Sequence, residues 1–219
     1  ERRIVHNTAA SYFDVFKEAV HLAFDEQLLK EDPVLSVKSI PQRQPKREFL
    51  TLEELRAAVQ AECPDPLLKQ VAIFSMLTGL RFKFIRELKW GHVRYSEDNG
   101  HFIRKEVEKA IIHEAIFLNE QAREIMGEPQ DPESPVFPGL VYKNQTTANL
   151  NAWMKNAGED RHVTFHAFRH TFATLQLTYG TDIYTVSKLL HHKNVQTTQI
   201  YARVLDEKKK AAVNRIPRL

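Results

Sequence analysis

Cysteine is almost missing from this chain. A single one, Cys63, occurs among 219 residues, which excludes an internal disulfide and fits a reducing compartment. That thiol reads as inert packing rather than as a nucleophile. Glycine is scarce too, and only seven of them argue against a loop-rich β fold. No apolar run approaches the ~20 residues needed to cross a bilayer. The longest, Val71 to Leu77, is broken by Ser75 and reads as buried helix. A large excess of either charge is also absent. The formal net charge of +3 permits a nucleic-acid partner without demanding one, because clustering on one face matters more than the total. The opening Glu1-Arg2-Arg3-Ile4 carries neither an initiator methionine nor a signal-peptide pattern, so a fragment of a longer protein is expected. What is present is an ordinary apolar fraction of 42% and enough length for one large core or two unequal ones.

Helical periodicity dominates. Tyr12, Phe13, Phe16, Val20, Ala23, Phe24 and Leu28 recur mostly at three- and four-residue steps, predicting a helix over 8–30 that Asp32-Pro33 stops. An extended piece is expected to start at Val34 and reach Ile40. The following stretch, 41–47, is basic, proline-bearing and free of apolar residues, and reads as a linker. One helix cannot make a domain. Residues 1–40 are therefore expected to be the C-terminal part of a helical domain, and 48–219 a second domain. Thr51-Leu52-Glu53-Glu54 is a capping box that starts a helix ending before Pro64. Pro66 opens the next helix, which Gly79 ends, and another spans Phe82 to Leu88. A strand is expected near 92–95. Asn99-Gly100 marks a hairpin turn, with further strands near 101–108 and 111–118. Asn119 caps a helix ending near Gly127, and a proline-rich loop follows over 129–138. Beyond Thr146 the chain is helical again, broken at Gly158, Gly180 and 192–194. The fold class expected is mainly α with one small antiparallel β-sheet.

The last quarter concentrates the chemistry. Phe165, Phe168, Phe172 and Leu175 are spaced to face a core, and His166 and Arg169 fall together on the neighbouring stripe of the same helix. His192 sits in the turn that follows the next helix. Tyr201 lies nine residues further on, expected on the second turn of a last helix. Far upstream, Arg81 would complete a cationic cradle for a phosphate. Histidine, two arginines and a tyrosine are the side chains needed to cut a phosphodiester without a metal.

These residues resemble the tyrosine recombinases, a family that includes the integrases of phages and conjugative elements. The similarity rests on Thr78-Gly79-Leu80-Arg81, a hairpin lysine, His166-Ala167-Phe168-Arg169-His170-Thr171, Leu189-Leu190-His191-His192 and Thr198-Gln199-Ile200-Tyr201, in the family's order over about 48–205. The resemblance implies a tyrosine recombinase catalytic domain that cleaves and rejoins DNA strands through a 3′-phosphotyrosyl bond. That bond conserves energy, so religation needs neither ATP nor metal, and no cofactor is implied. Arg81 and Arg169 would clamp the non-bridging oxygens, since guanidiniums stay charged and fork onto phosphate. Tyr201 would be the nucleophile. A phenol is mostly protonated at neutral pH, so it needs a proton acceptor, for which His166 is the candidate. His192 would donate a hydrogen bond to the phosphate. A lysine would protonate the departing 5′ oxygen, Lys109 by strand register, with Lys105 as the alternative. The resemblance further implies double-stranded recombination sites, a tetramer on DNA, accessory DNA-bending proteins, and a cytoplasmic location without a membrane.

The chain departs from the family pattern in four places. Lys83 and Phe84 stand where a small polar residue and an acid are usual, which bears on the support of Arg81. His191 replaces a usual glycine, and Ala167 a common acid. Three rivals compete with the strand-cleaving reading. His166 and His170 share the four-residue spacing of zinc metalloproteases, but Ala167 occupies the glutamate position of that motif and Arg169 would repel a dication. His170 is instead expected to pack or hydrogen-bond locally. A DNA-binding module without catalysis, and a type IB topoisomerase, are the other two.

Overall fold

A computed structural model describes residues 4–43, 48–104, 115–192 and 194–201. Its contacts divide the chain into two compact units, Glu1–Lys46 and Arg47–Leu219. No helix among the described residues is long and apolar enough to cross a membrane.

The first unit is built on α1 (His6–Asp25). A turn over 33–36 replaces the start of the expected extended piece, and irregular chain follows it. Asp32 makes the turn: its side chain accepts from the Val34 amide at 2.9 Å and meets His21 Nδ1 at 2.5 Å. The chain beyond returns along α1, where His6 bonds to the Pro41 carbonyl and the Asn7 side chain pairs with Arg43 backbone. Among the described residues of this unit, only Ala10 and Val34 are both apolar and buried, while Tyr12, Val15, Phe16 and Leu28 stay exposed.

In the second unit, α2 (Leu52–Gln60) carries the expected capping box, with Thr51 and Glu54 satisfying each other's backbone amides. Asp65 caps α3 (Pro66–Thr78), and Gly79 ends it at φ +71°. That glycine is obligatory on two grounds. Its backbone is left-handed, and a Cβ there would lie 2.7 Å from a Phe172 ring carbon. Then come α4 (Phe82–Arg86), shorter than expected, and a three-stranded antiparallel sheet of β1 (Val93–Ser96), β2 (Gly100–Ile103) and β3 (Ile116–Phe117). Tyr95 pairs with His101 and Ile103 with Ile116, which fixes the register. Both hairpin lysines, Lys105 and Lys109, lie outside the described residues. Asn119 caps α5 (Glu120–Met126), and α6 (Gln145–Asn156), α7 (His166–Thr178) and α8 (Ile183–Leu189) complete the unit. The fold class is as the sequence pattern predicts, mainly α with a small antiparallel sheet.

The central element is α7. Every residue from Ala167 to Thr174 is buried, a run that includes Arg169, His170, Thr171 and Thr174. This differs from the one-sided stripe the sequence suggests. Buried polar groups must be paired, and Thr171 shows how: its hydroxyl donates to Ala167 O and accepts from the Leu50 amide, both at 2.9 Å. Thr171 thus ties the start of this unit to its central helix. Trp153, fully buried, similarly donates its indole N–H to Ala58 O at 2.8 Å.

Candidate active site

Four segments bring the charged residues together: the turn after α3, helix α7, the turn after α8, and the chain up to Tyr201. The first turn is braced from within. Gly79 N–H donates to Ser75 O at 2.8 Å, while the Ser75 hydroxyl donates to Leu80 O and the Thr78 hydroxyl to Phe74 O, each at 2.7 Å. Arg81 emerges from this turn as the residue before α4, with an exposed side chain. Phe84, at the position where an acid is usual, instead packs half-buried against the main hydrophobic core. Lys83 is exposed.

Arg169 enters from α7 and is only 3% exposed. Its guanidinium donates from Nη1 to Gly79 O at 2.5 Å and from Nη2 to Leu190 O. The first carbonyl lies two residues before Arg81 and the second two before His192. One side chain therefore pins both turns that carry the other candidate groups, and three of its five N–H bonds remain for other acceptors. The charge is costly where it sits. Burial and the neighbouring Arg81 cation push the Arg169 pKa down to about 10, against a pull upward from Tyr201. A buried guanidinium that feels a second cation beside it forms a site that an anion would relieve.

Tyr201 is 5% exposed, and its phenol meets His170 Nδ1 at 2.5 Å. Sequence reasoning missed this. His170 packs locally against His166, as expected, but it also meets a partner 31 residues away. The residues leading to Tyr201 run as two short tight turns, Val195–Thr197 and Gln199–Tyr201, rather than as the expected second turn of an α-helix. Thr198, fully buried between them, meets His192 Nδ1 at 2.8 Å. If its hydroxyl is the donor there, His192 carries its hydrogen on Nε2 and can donate it onward. His192 is half-buried.

His166 sits at the first position of α7 and is exposed. It touches His170 edge to face, with ring centroids 4.6 Å apart. Arg169 and His166 thus differ in depth by more than their common stripe suggests. His191 has φ +49°, a left-handed backbone that favours glycine. With Leu189 and Phe172 it lines a groove of about 590 Å³. Burial raises the pKa of Cys63, which fits its reading as inert packing.

Comparison with known proteins adds to this geometry. Residues 48–208 match the profile described as the phage integrase family. A tyrosine recombinase XerC of Bacillus pumilus is 29% identical over 242 aligned positions, covering 100% of this chain and 77% of the relative. A tyrosine recombinase XerD of Vibrio vulnificus is 31% identical, covering 84% of this chain and 66% of the relative. Among solved structures, a lambda integrase dimer bound to a COC′ core site aligns with TM-score 0.66 and 19% identity, over 86% of this chain and 70% of that one. The XerA recombinase aligns with TM-score 0.59 and 23% identity, over 93% of this chain and 75% of that one.

Proposed function

Because the chain belongs to the phage integrase family of tyrosine recombinases, we propose that it cuts and rejoins DNA at specific sites using Tyr201 as nucleophile. The observation that carries this reading is the buried group of Arg169, His170 and Tyr201, with the charge of Arg81 acting on Arg169 from the turn after α3. The phenol would attack the scissile phosphorus and leave a 3′-phosphotyrosyl bond. Arg81 and Arg169 would hold the non-bridging oxygens, and the anion would offset the repulsion between the two cations. His192, oriented by Thr198, would donate to the same phosphate. Lys109, or Lys105 in its place, would protonate the departing 5′ oxygen. No metal, cofactor or ATP enters these steps.

Residues 1–40 would belong to a helical DNA-binding domain, 41–47 to a linker, and 48–219 to the catalytic domain. The partner would be a duplex recombination site engaged by a tetramer, with accessory DNA-bending proteins, in the cytoplasm with the nucleoid. Phosphate contacts from Lys and Arg would supply most of the affinity, so binding should weaken steeply with salt. The test is a nicked duplex whose arms are selected from a random pool by binding to the wild-type protein. A covalent protein–DNA adduct that Tyr201→Phe abolishes is expected. Tight binding with no adduct would instead favour a non-catalytic DNA-binding module, the reading that Lys83 and Phe84 make worth testing.

A further inference from the structure

We propose that His170, rather than His166, takes the proton from the Tyr201 phenol when the strand is cut. The inference rests on the strand-cleaving reading above and names the group that activates its nucleophile.

Geometry separates the two histidines. A general base must lie within hydrogen-bond reach of the proton it removes, about 2.6–3.2 Å or slightly closer. His170 Nδ1 meets that condition at 2.5 Å from the phenolic oxygen. Both partners are buried, His170 at 6% exposure and Tyr201 at 5%, so water competes poorly for either atom. His166 is exposed at the start of α7 and packs against His170, ring against ring at 89°.

The charges around the pair favour the transfer in the presence of DNA. On its own helix His170 is flanked by Arg169 and His166; from the last segment it faces Tyr201; Arg81 acts on Arg169 from the turn after α3. With no phosphate bound, a second buried cation beside Arg169 is unfavourable, and the phenol keeps its proton. Once phosphate oxygens occupy the cradle, the charge growing on them offsets the new imidazolium. The step balances. The Tyr201 O–H bond breaks as its proton moves to His170 Nδ1, the phenolic oxygen bonds to phosphorus, and the bond to the 5′ oxygen breaks as that oxygen takes a proton from the hairpin lysine. Religation reverses each transfer, and Nδ1 returns its proton to the phenol.

Single-turnover cleavage of the selected nicked duplex tests this with His170→Ala, His170→Asn, His166→Ala and Tyr201→Phe. Asparagine can accept the phenolic hydrogen bond from nearly the Nδ1 position but cannot take the proton. Both His170 variants should slow adduct formation by about 100-fold or more while DNA affinity stays within about threefold. The His166 variant should lose far less. A substrate with sulfur at the bridging 5′ position, whose thiolate leaves without a proton, should not rescue His170→Asn. A wild-type rate for His170→Asn, or its rescue by sulfur, would overturn the assignment. If His170→Ala does not fold, the asparagine variant decides alone.

An NMR measurement separates this inference from the reading beneath it. The Tyr201 hydroxyl proton should give a downfield line in the DNA-free protein that vanishes in His170→Ala and in Tyr201→Phe. Absence of that line in the wild type overturns the His170 role even if adducts form. If the line is present but no adduct forms on any duplex, strand cleavage is what fails.

Discussion

The floor and the rim of the site are built on different principles. On the floor, Arg169, His170 and Tyr201 are buried, Arg169 bonded to the carbonyls of two turns and His170 to Tyr201. On the rim, Arg81 and His166 are exposed at the starts of α4 and α7. A floor residue has two tasks at once, holding backbone and meeting substrate, because a buried polar group must be satisfied whether or not DNA is present. A rim residue keeps its side chain open to solvent, and the fold does not depend on satisfying it. Stability and activity should therefore fall together on the floor and separate on the rim.

The largest expected loss of stability comes from Arg169→Ala. It leaves Gly79 O and Leu190 O without their donor and opens a cavity beneath both turns, so unfolding should become easier by about 3 kcal/mol. Cleavage should fall by about 1000-fold or more. Chemical denaturation alongside the adduct assay measures both. An unchanged midpoint would remove the distinction between floor and rim. Arg169→Lys sharpens the point, because one ammonium cannot fork onto two carbonyls on separate segments.

Next is Gly79→Ala. A methyl group 2.7 Å from the Phe172 ring, on a left-handed backbone, should cost about 2 kcal/mol and shift the turn bearing Arg81. Thermal melting and cleavage should both report it. The third change has the opposite sign. His191→Gly removes a side chain from a residue at φ +49°, and should stabilise the fold by about 1 kcal/mol in denaturant melts. A loss of stability would show that the His191 ring holds the turn by contacts that outweigh its backbone strain.

Smallest in stability is Arg81→Ala, expected within about 0.5 kcal/mol of wild type because the side chain is exposed. Its signature should lie elsewhere: cleavage lower by about 100-fold, and a salt slope of DNA binding reduced by about one. Loss of stability equal to that of Arg169→Ala would mean that Arg81 belongs to the floor.

The sequence made much of this arrangement legible where the cause is local. Thr51 and Asn119 cap their helices through their own side chains, and Gly79 closes α3, all from contacts within a few residues. The motif residues were legible as a set because each carries a chemistry, charge or nucleophile, that has few purely structural uses in that combination. What escaped was depth. Apolar spacing places Phe165, Phe168 and Phe172 on a core face, but it gives no sign that Arg169 and His170 are buried as well. A helix buried along this whole stretch has no polar stripe to read. His170 in particular carried only the signal of standing next to Arg169, four positions from His166.

The sequence by itself determined most of the helical segments, several of their caps, and which side chains capable of phosphodiester chemistry the chain possesses, because caps, turns and residue chemistry act over a few positions. Tertiary structure alone decided that Arg169 spans two turns and that the Tyr201 phenol rests on His170. Those contacts join residues 90 and 31 positions apart, and only the packing of separate segments around α7 brings them within bonding distance.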